Sequence, residues 1–146
     1  IVQITSRTTL ERHVALWQCS DLPNAEKPVG FVLSLEGADS MIDISYVERA
    51  YQYGLRAIGP AHYGPGRYAP GTGEDGPLTA AGRDLLREMA RLNMILDVTH
   101  LTDQGFAEAL DTYPGPIWAS HHNARALVPH QRQLSDEQIK QLAARD

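Results

Sequence analysis

Hydrophobic positions along the chain fall into a repeating alternation: a short apolar run, a loop, then a stretch at helical spacing. The runs are Val29 to Leu35, ending at Glu36; Leu55 to Ala61, ending at His62; Met94 to Thr99, ending at His100; and Pro116 to Ser120, ending at His121. Each is short, largely apolar and mostly bounded by Gly, Pro or Asn, the pattern of strands buried in a parallel sheet. The stretches between them read as helices. Ile44, Val47, Ala50 and Tyr51 recur at helical spacing ahead of Gly54, a C-terminal stop. Thr79 caps a helix through Leu85, Leu86, Met89 and Leu92, whose other face is charged. Thr102 or Asp103 caps another through Phe106, Ala107 and Leu110. Ser135 with Gln138 three residues on has capping-box spacing, and Thr9 to Trp17 also reads as helical. Strands alternating with helices predict βαβ units, a parallel sheet and an α/β fold class. The exception is Tyr63 to Pro77, a Gly- and Pro-rich segment too long for a routine connection and therefore a candidate functional loop.

Composition narrows the picture without changing it. The chain of 146 residues is long enough for one domain with a real core. No repeat, low-complexity tract or linker divides it, so a single domain, or a piece of one, is expected across residues 1–146. The formal net charge is -5, and the scattered Lys and Arg residues leave no footprint for nucleic acid. The lone cysteine, Cys19, excludes an internal disulfide and is expected as a small, partly buried side chain. No apolar run is long enough to span a bilayer. Arg7 and Glu11 interrupt any apolar leader, and a start at Ile1 instead of Met leads to the expectation of an upstream segment. A soluble, cytoplasmic bacterial enzyme is the expected setting.

The chemistry is carried by position. Glu36, His62, His100 and His121 each stand where a predicted strand ends. In a parallel barrel all strand C-termini share one face, and active sites are built there. A single histidine at such a place is more often a satisfied hydrogen-bonding residue than a ligand. Three histidines and a glutamate at consecutive strand ends are much harder to dismiss. Imidazole nitrogens and a carboxylate are the ligands that zinc takes at catalytic sites, and a carboxylate can bridge two metals. Asp97, inside the third run, is a candidate for the outer hydrogen bond that metal-ligating residues need.

From about Val29 to Ala143 the chain resembles the membrane (renal) dipeptidases, peptidase family M19 of the amidohydrolase superfamily. The blocks that carry this are Leu35-Glu36-Gly37-Ala38, Tyr53-Gly54-Leu55-Arg56, Leu78-Thr79-Ala80-Ala81-Gly82, Leu96-Asp97-Val98-Thr99-His100, Ser120-His121-His122-Asn123-Ala124-Arg125-Ala126 and His130-Gln131-Arg132-Gln133-Leu134-Ser135-Asp136. Each is modest alone; their order and spacing make the match. The resemblance implies a (β/α)8 TIM-barrel type fold of which about half is present here. It implies a two-zinc dipeptidase that cleaves the amide bond of a dipeptide, or a related small molecule, with a metal-activated hydroxide. Glu36 matches the glutamate that bridges the two zinc ions and serves catalysis through them. His100 and His121 match the histidines of the second zinc. His62 matches a catalytic histidine that contacts the substrate or tetrahedral intermediate, and Arg132 an arginine that binds the substrate's terminal carboxylate. A homodimer is among the expected assemblies.

Two parts of the family pattern are missing from these residues. The family's first strand carries a His-x-Asp pair for the first zinc, and no His-x-Asp occurs here. The aspartate of a late strand, which acts in proton transfer, has no counterpart after Asp136. The expectation is a central fragment of a longer enzyme, in which a half-open sheet exposes two edges and an apolar face. Gln131 and Gln133 also flank Arg132 where the family commonly has Pro or Arg before and Asn after. Bland roles stand beside the functional ones: His62 as a loop anchor, Arg132 as a surface partner of Asp136, His122 facing away from the site, and Trp118 as core packing. Two other functions stay open, a non-catalytic barrel fragment with at most one weak metal site and another amidohydrolase-type hydrolase such as a deaminase or lactonase.

Overall fold

The computed structural model describes residues 1–145. Six strands and five α-helices follow in the order β1 (Val2–Gln3), α1 (Arg7–Gln18), β2 (Gly30–Phe31), β3 (Leu33–Glu36), α2 (Ser45–Gln52), β4 (Leu55–Gly59), α3 (Ala80–Arg91), β5 (Ile95–Asp97), α4 (Asp103–Thr112), β6 (Ile117–Trp118) and α5 (Asp136–Ala143). The fold is α/β with parallel sheets: β3-β4-β5-β6 form a four-stranded sheet, and β1 pairs with β2. Neighbours in the larger sheet are neighbours in sequence, so each helix carries the chain from one strand to the next in parallel. β4 and β5 are central and buried, whereas β3 at one edge keeps Leu33 40% exposed.

The strands are shorter than the apolar runs, for local reasons. The first run splits at Val32: Gly30–Phe31 pairs with β1, and Leu33–Glu36 pairs with β4 across a register shift between Leu33 and Ser34. The third run stops at Asp97, whose carboxylate accepts the Thr99 N–H at 3.0 Å and turns the chain. Arg56, a charge within an apolar run, sits at the opposite end of the sheet. Its guanidinium donates to the carbonyls of Thr5, Tyr51 and Leu55 at 2.7–2.8 Å and lies 4.0 Å from the Tyr51 ring centroid.

The caps fall where the sequence pattern puts them. Thr79 accepts from Gly82 N–H, Thr102 from Gly105 N–H, and Ser135 forms a capping box with Gln138. Helix α3 buries Leu85, Leu86 and Met89 against the sheet and turns its charges outward. Two buried tyrosines close the core: Tyr68 donates to the Met41 carbonyl and Tyr113 to the Met94 carbonyl, each at 2.5 Å. Cys19 lies at the C-cap of α1 and is exposed, contrary to the partly buried place expected for it, because that helix buries no residue. Val14, Trp17, Val29 and Phe31 beside it are also exposed.

The segment after β6 is held by one ion pair. Arg125 binds both carboxylate oxygens of Asp103 at 2.9 and 2.6 Å and donates to the Gln133 carbonyl, while Gln138 donates to Asp103 at 3.0 Å. The Arg125 hydrogen bond, opposed by partial burial and helped by Gln138, holds the Asp103 carboxyl below the usual carboxylate range. A carboxyl lowered in the folded state stabilises above its unfolded pKa of about 3.9, and that stability is lost as pH falls through the lowered folded value. In urea unfolding, Asp103→Asn should cost ~1 kcal/mol between pH 5 and 7, a modest figure because the pair is half exposed. The gap between the two proteins should close below pH 4; a gap that persists at acid pH would assign the effect to packing.

Candidate metal centre

Because β3 to β6 are parallel, their C-terminal ends lie along one edge of the sheet, where open α/β sheets place their sites. Glu36 is the last residue of β3. His62, His100 and His121 each follow the last residue of β4, β5 and β6 by three positions. Their side chains meet. His100 Nε2 and His121 Nε2 both lie 2.9 Å from Glu36 Oε1, and His62 Nε2 lies 3.8 Å from the same oxygen. Ligand atoms of Glu36, His100 and His121 fall within 4.8 Å of one another, a grouping that could hold a metal ion. Imidazole and carboxylate donors suit a divalent transition metal.

Backbone geometry aims these side chains. Gly37 takes φ +78° just after Glu36, which bends the chain away once the carboxylate has been presented. His100 itself has φ +71°, the left-handed region that costs a residue with a Cβ about 1–2 kcal/mol. Strain of this kind persists only where the surroundings hold it. Here the imidazole is 4% exposed and bonded at both nitrogens, to Glu36 through Nε2 and to Thr72 Oγ1 through Nδ1 at 3.0 Å.

The Gly- and Pro-rich segment after His62 is a pinned loop. Thr72 N–H donates to the His62 carbonyl at 2.8 Å, and Gly64 N–H to the Thr72 carbonyl at 3.0 Å. A Cβ on Gly71 would lie 2.0 Å from the His62 carbonyl oxygen, so only glycine allows this approach. Gly73 N–H donates to Gln131 Oε1, and Gln131 Nε2 donates to the Glu74 carbonyl, both at 3.0 Å. The loop thereby ties His62, His100 and the segment bearing Arg132 into one unit. The Tyr63 ring, 64% exposed, lies 5.2 Å from the ring centroids of both His62 and His100.

His121 is backed by a different set. Ser120 Oγ lies 2.8 Å from His121 Nδ1 and donates to Asp97 Oδ2 at 2.5 Å. Asp97, 6% exposed, also accepts the Ser120 N–H at 3.2 Å and the Thr99 N–H at 3.0 Å. Arg132 does not pair with Asp136; it donates from Nη2 to the His121 carbonyl at 2.8 Å, and its Nη1 is buried with no partner among the described residues. His122 is half buried behind the rim, 3.5 Å from Thr99 Oγ1 and not in the Glu36 cluster. Trp118 is half buried in β6.

Charge follows this geometry. Burial pushes the Glu36 carboxyl up, but the His100 hydrogen bond and the charges of His121, His100 and His62 outweigh it and hold it down. Burial and the nearby Arg132 charge push His100 down against the pull of Glu36. The same two causes push His122 down to about 4. Burial raises Asp97, and its hydrogen bonds from Ser120 and Thr99 overcome that to hold it low. At neutral pH the rim therefore holds an ionised carboxylate beside a neutral His100, the protonation states that metal ligands require.

Thr72, Ser120 and Gln131 are the site residues for which sequence reasoning assigned no role. Ser120 had a signal, its place directly before His121. Thr72 had none, since nine residues without periodicity separate it from His62.

Comparisons with known proteins identify the family. The family model of the membrane dipeptidases, peptidase family M19, matches residues 7–146. An uncharacterized protein in the PQQ-III 3' region of Acinetobacter calcoaceticus is 34% identical over 125 residues, covering 80% of this chain and 40% of the relative. Dipeptidase tcpJ of Claviceps purpurea is 33% identical over 116 residues, covering 76% of this chain and 27% of that protein. The chain thus spans less than half the length of the curated relatives it matches. A metallopeptidase of Rhodobacter sphaeroides, solved with a phosphinate mimic of the dipeptide L-Ala-D-Ala, superposes with TM-score 0.75 at 27% identity, over 97% of this chain and 40% of that one. No helix among the described residues is long and apolar enough to cross a membrane. A parallel α/β sheet with a glutamate and histidines gathered at its strand ends, matched to one family model along nearly all of its length, belongs to the membrane dipeptidase family, the M19 peptidases.

Proposed function

We propose that this chain is the metal-binding segment of a zinc-dependent dipeptidase, a contiguous part of one (β/α)8 barrel domain whose remaining strands lie outside these residues. The observation that carries the reading is the approach of three imidazoles from three strand ends to one oxygen of Glu36. The sequential strand order fits a barrel better than a doubly wound sheet, in which the order reverses. Family membership supports hydrolysis of dipeptides.

The donors fit zinc. Nitrogen and carboxylate ligands are its usual catalytic set, and outer hydrogen bonds already orient both imidazoles. In this reading His100, His121 and Glu36 would hold one ion, and the Glu36 carboxylate would be shared with a second. When bound, such ions supply Lewis acidity toward a carbonyl oxygen and toward water. His62, half exposed beside Glu36, offers an N–H to the negative charge that develops on the substrate carbonyl. Arg132 grips the carboxylate of a short substrate with a free C-terminus. Its guanidinium has to swing off the His121 carbonyl to do so, a rotation that a long side chain permits and that satisfies the buried Nη1. A second reading, one metal site without turnover, has support in the absence of any His-x-Asp pair from the 146 residues.

The primary test is zinc per chain after stripping and reloading. The expected result is ~one zinc, lost in a His100→Ala/His121→Ala double variant; near-zero zinc in the parent chain would sink the proposal. Glu36→Gln keeps the shape and removes the charge, so zinc affinity should fall by more than the ~10–100-fold typical of losing an outer partner. In a protein that contains this segment and turns over dipeptides, Arg132→Met should raise KM at least ~10-fold for a dipeptide and leave its C-terminal amide unaffected. Equal effects on both substrates would make Arg132 a structural residue.

A further inference from the structure

The two metal-competent imidazoles are both backed by a hydroxyl, yet the two hydroxyls differ in what their proton is free to do. Thr72 Oγ1 has no second partner among the described residues, so it can donate to His100 Nδ1 or accept from it. Ser120 Oγ has three neighbours: Asp97 Oδ2 at 2.5 Å, His121 Nδ1 at 2.8 Å and Thr99 Oγ1 at 3.2 Å. A serine hydroxyl has one proton to give and two lone pairs to receive with. Asp97 is ionised and can only accept, and it is the nearest neighbour, so the proton goes there. The lone pairs of Ser120 then face Thr99 and His121, and His121 must bring its own proton to Nδ1.

That proton count fixes the other end of the ring. With Nδ1 protonated, a neutral His121 presents a bare Nε2, and this nitrogen lies 2.9 Å from Glu36 Oε1. Two electron-pair donors that close repel unless a positive charge stands with them, either a second proton on the ring or a cation. The strand-end geometry therefore holds the imidazole in its ligating tautomer before any ion arrives, with the buried carboxylate of Asp97 as the element that enforces it.

We propose that Asp97, acting through Ser120, is a positioning residue that fixes the proton of His121 on Nδ1 and keeps Nε2 free as the electron-pair donor at the Glu36 cluster. The inference deepens the metal-centre reading above and rests on it for its consequence. Its tautomer statement stands on hydrogen bonding alone. Asp97 does not touch the cluster; it acts on His121 at one remove, as the outer carboxylates of metal-bound histidines do.

Asp97→Asn is the informative change, because the shape is kept and one acceptor oxygen is replaced by an NH2 donor. The Asn side-chain oxygen keeps the N–H groups of Thr99 and Ser120, and the NH2 turns toward Ser120 Oγ. Ser120 then receives from residue 97 and gives its proton to His121 Nδ1, which moves the ring proton to Nε2. An analogous carboxylate-to-amide change in a serine protease triad leaves the geometry intact and imposes the wrong tautomer. Long-range 1H–15N spectra of the metal-free chain, at a pH where the His121 ring signals no longer move, read the tautomer directly. Zinc affinity by chelator competition reads its consequence. The parent chain should show His121 as the Nδ1–H form. Asp97→Asn should show the Nε2–H form and bind zinc ~10–100-fold more weakly.

Ser120→Thr should retain the parent tautomer and affinity, because it retains the hydroxyl, whereas Ser120→Ala should lose both. An Nε2–H ring in the parent chain, or an Nδ1–H ring with unchanged zinc affinity in Asp97→Asn, overturns the proposal. If Asp97→Asn does not fold by circular dichroism, the serine pair decides, and identical spectra for Ser120→Ala and Ser120→Thr overturn it. A parent chain that binds no zinc, but whose His121 tautomer still switches in Asp97→Asn, supports the relay and removes the metal reading, so the two fail separately.

Discussion

One carboxylate oxygen, Oε1 of Glu36, is the point on which the site depends. Imidazoles from the ends of three other strands reach it, two of them at 2.9 Å. The carboxylate stands on a strand end, and the His100 hydrogen bond with the charges of the three rings outweighs the burial that would protonate it. Parallel strands make the meeting possible, since they carry every C-terminal end to the same edge. An antiparallel arrangement of the same segments would put alternate ends on opposite edges and scatter the four residues.

Precision comes from what stands behind the rings. His100 is held in a left-handed backbone conformation and bonded at both nitrogens, so its direction is set despite the strain. The loop that supplies Thr72 is fastened to the His62 carbonyl, and that contact is close enough to exclude any side chain at Gly71. Gln131 carries the fastening across to the segment of Arg132, whose base is held by the Arg125–Asp103 pair. Gln131 can do this because its amide both accepts and donates, and so holds two neighbouring backbone groups of the loop, the Gly73 N–H and the Glu74 carbonyl.

The exposed apolar residues around α1 and β2 belong to the same account. Trp17, Val29, Phe31 and Leu33 lie at or near the β3 edge, where the sheet has no further neighbour among the described residues. All-parallel sheets occur almost only with both faces covered.

Much was legible in the sequence because the signals are local. Apolar runs between turn residues marked the strands, the Thr79, Thr102 and Ser135 caps marked helix starts, and the last residue of each run named Glu36, His62, His100 and His121. The runs to Ala61, Thr99 and Ser120 overran β4, β5 and β6 by two residues each; in β5 the Asp97 side chain turns the chain through a hydrogen bond that apolar character does not report. Strand β1, two residues long, had no periodicity to reveal it. Tertiary structure alone decided that Thr72 backs His100, that Asp97 acts on His121 through Ser120, and that Arg132 points at a strand-end carbonyl rather than at Asp136. Residue types and their places along the chain are set by sequence. Which donor meets which acceptor across 23 or 28 residues is set only when packing fixes the distance between strand ends to within a hydrogen bond.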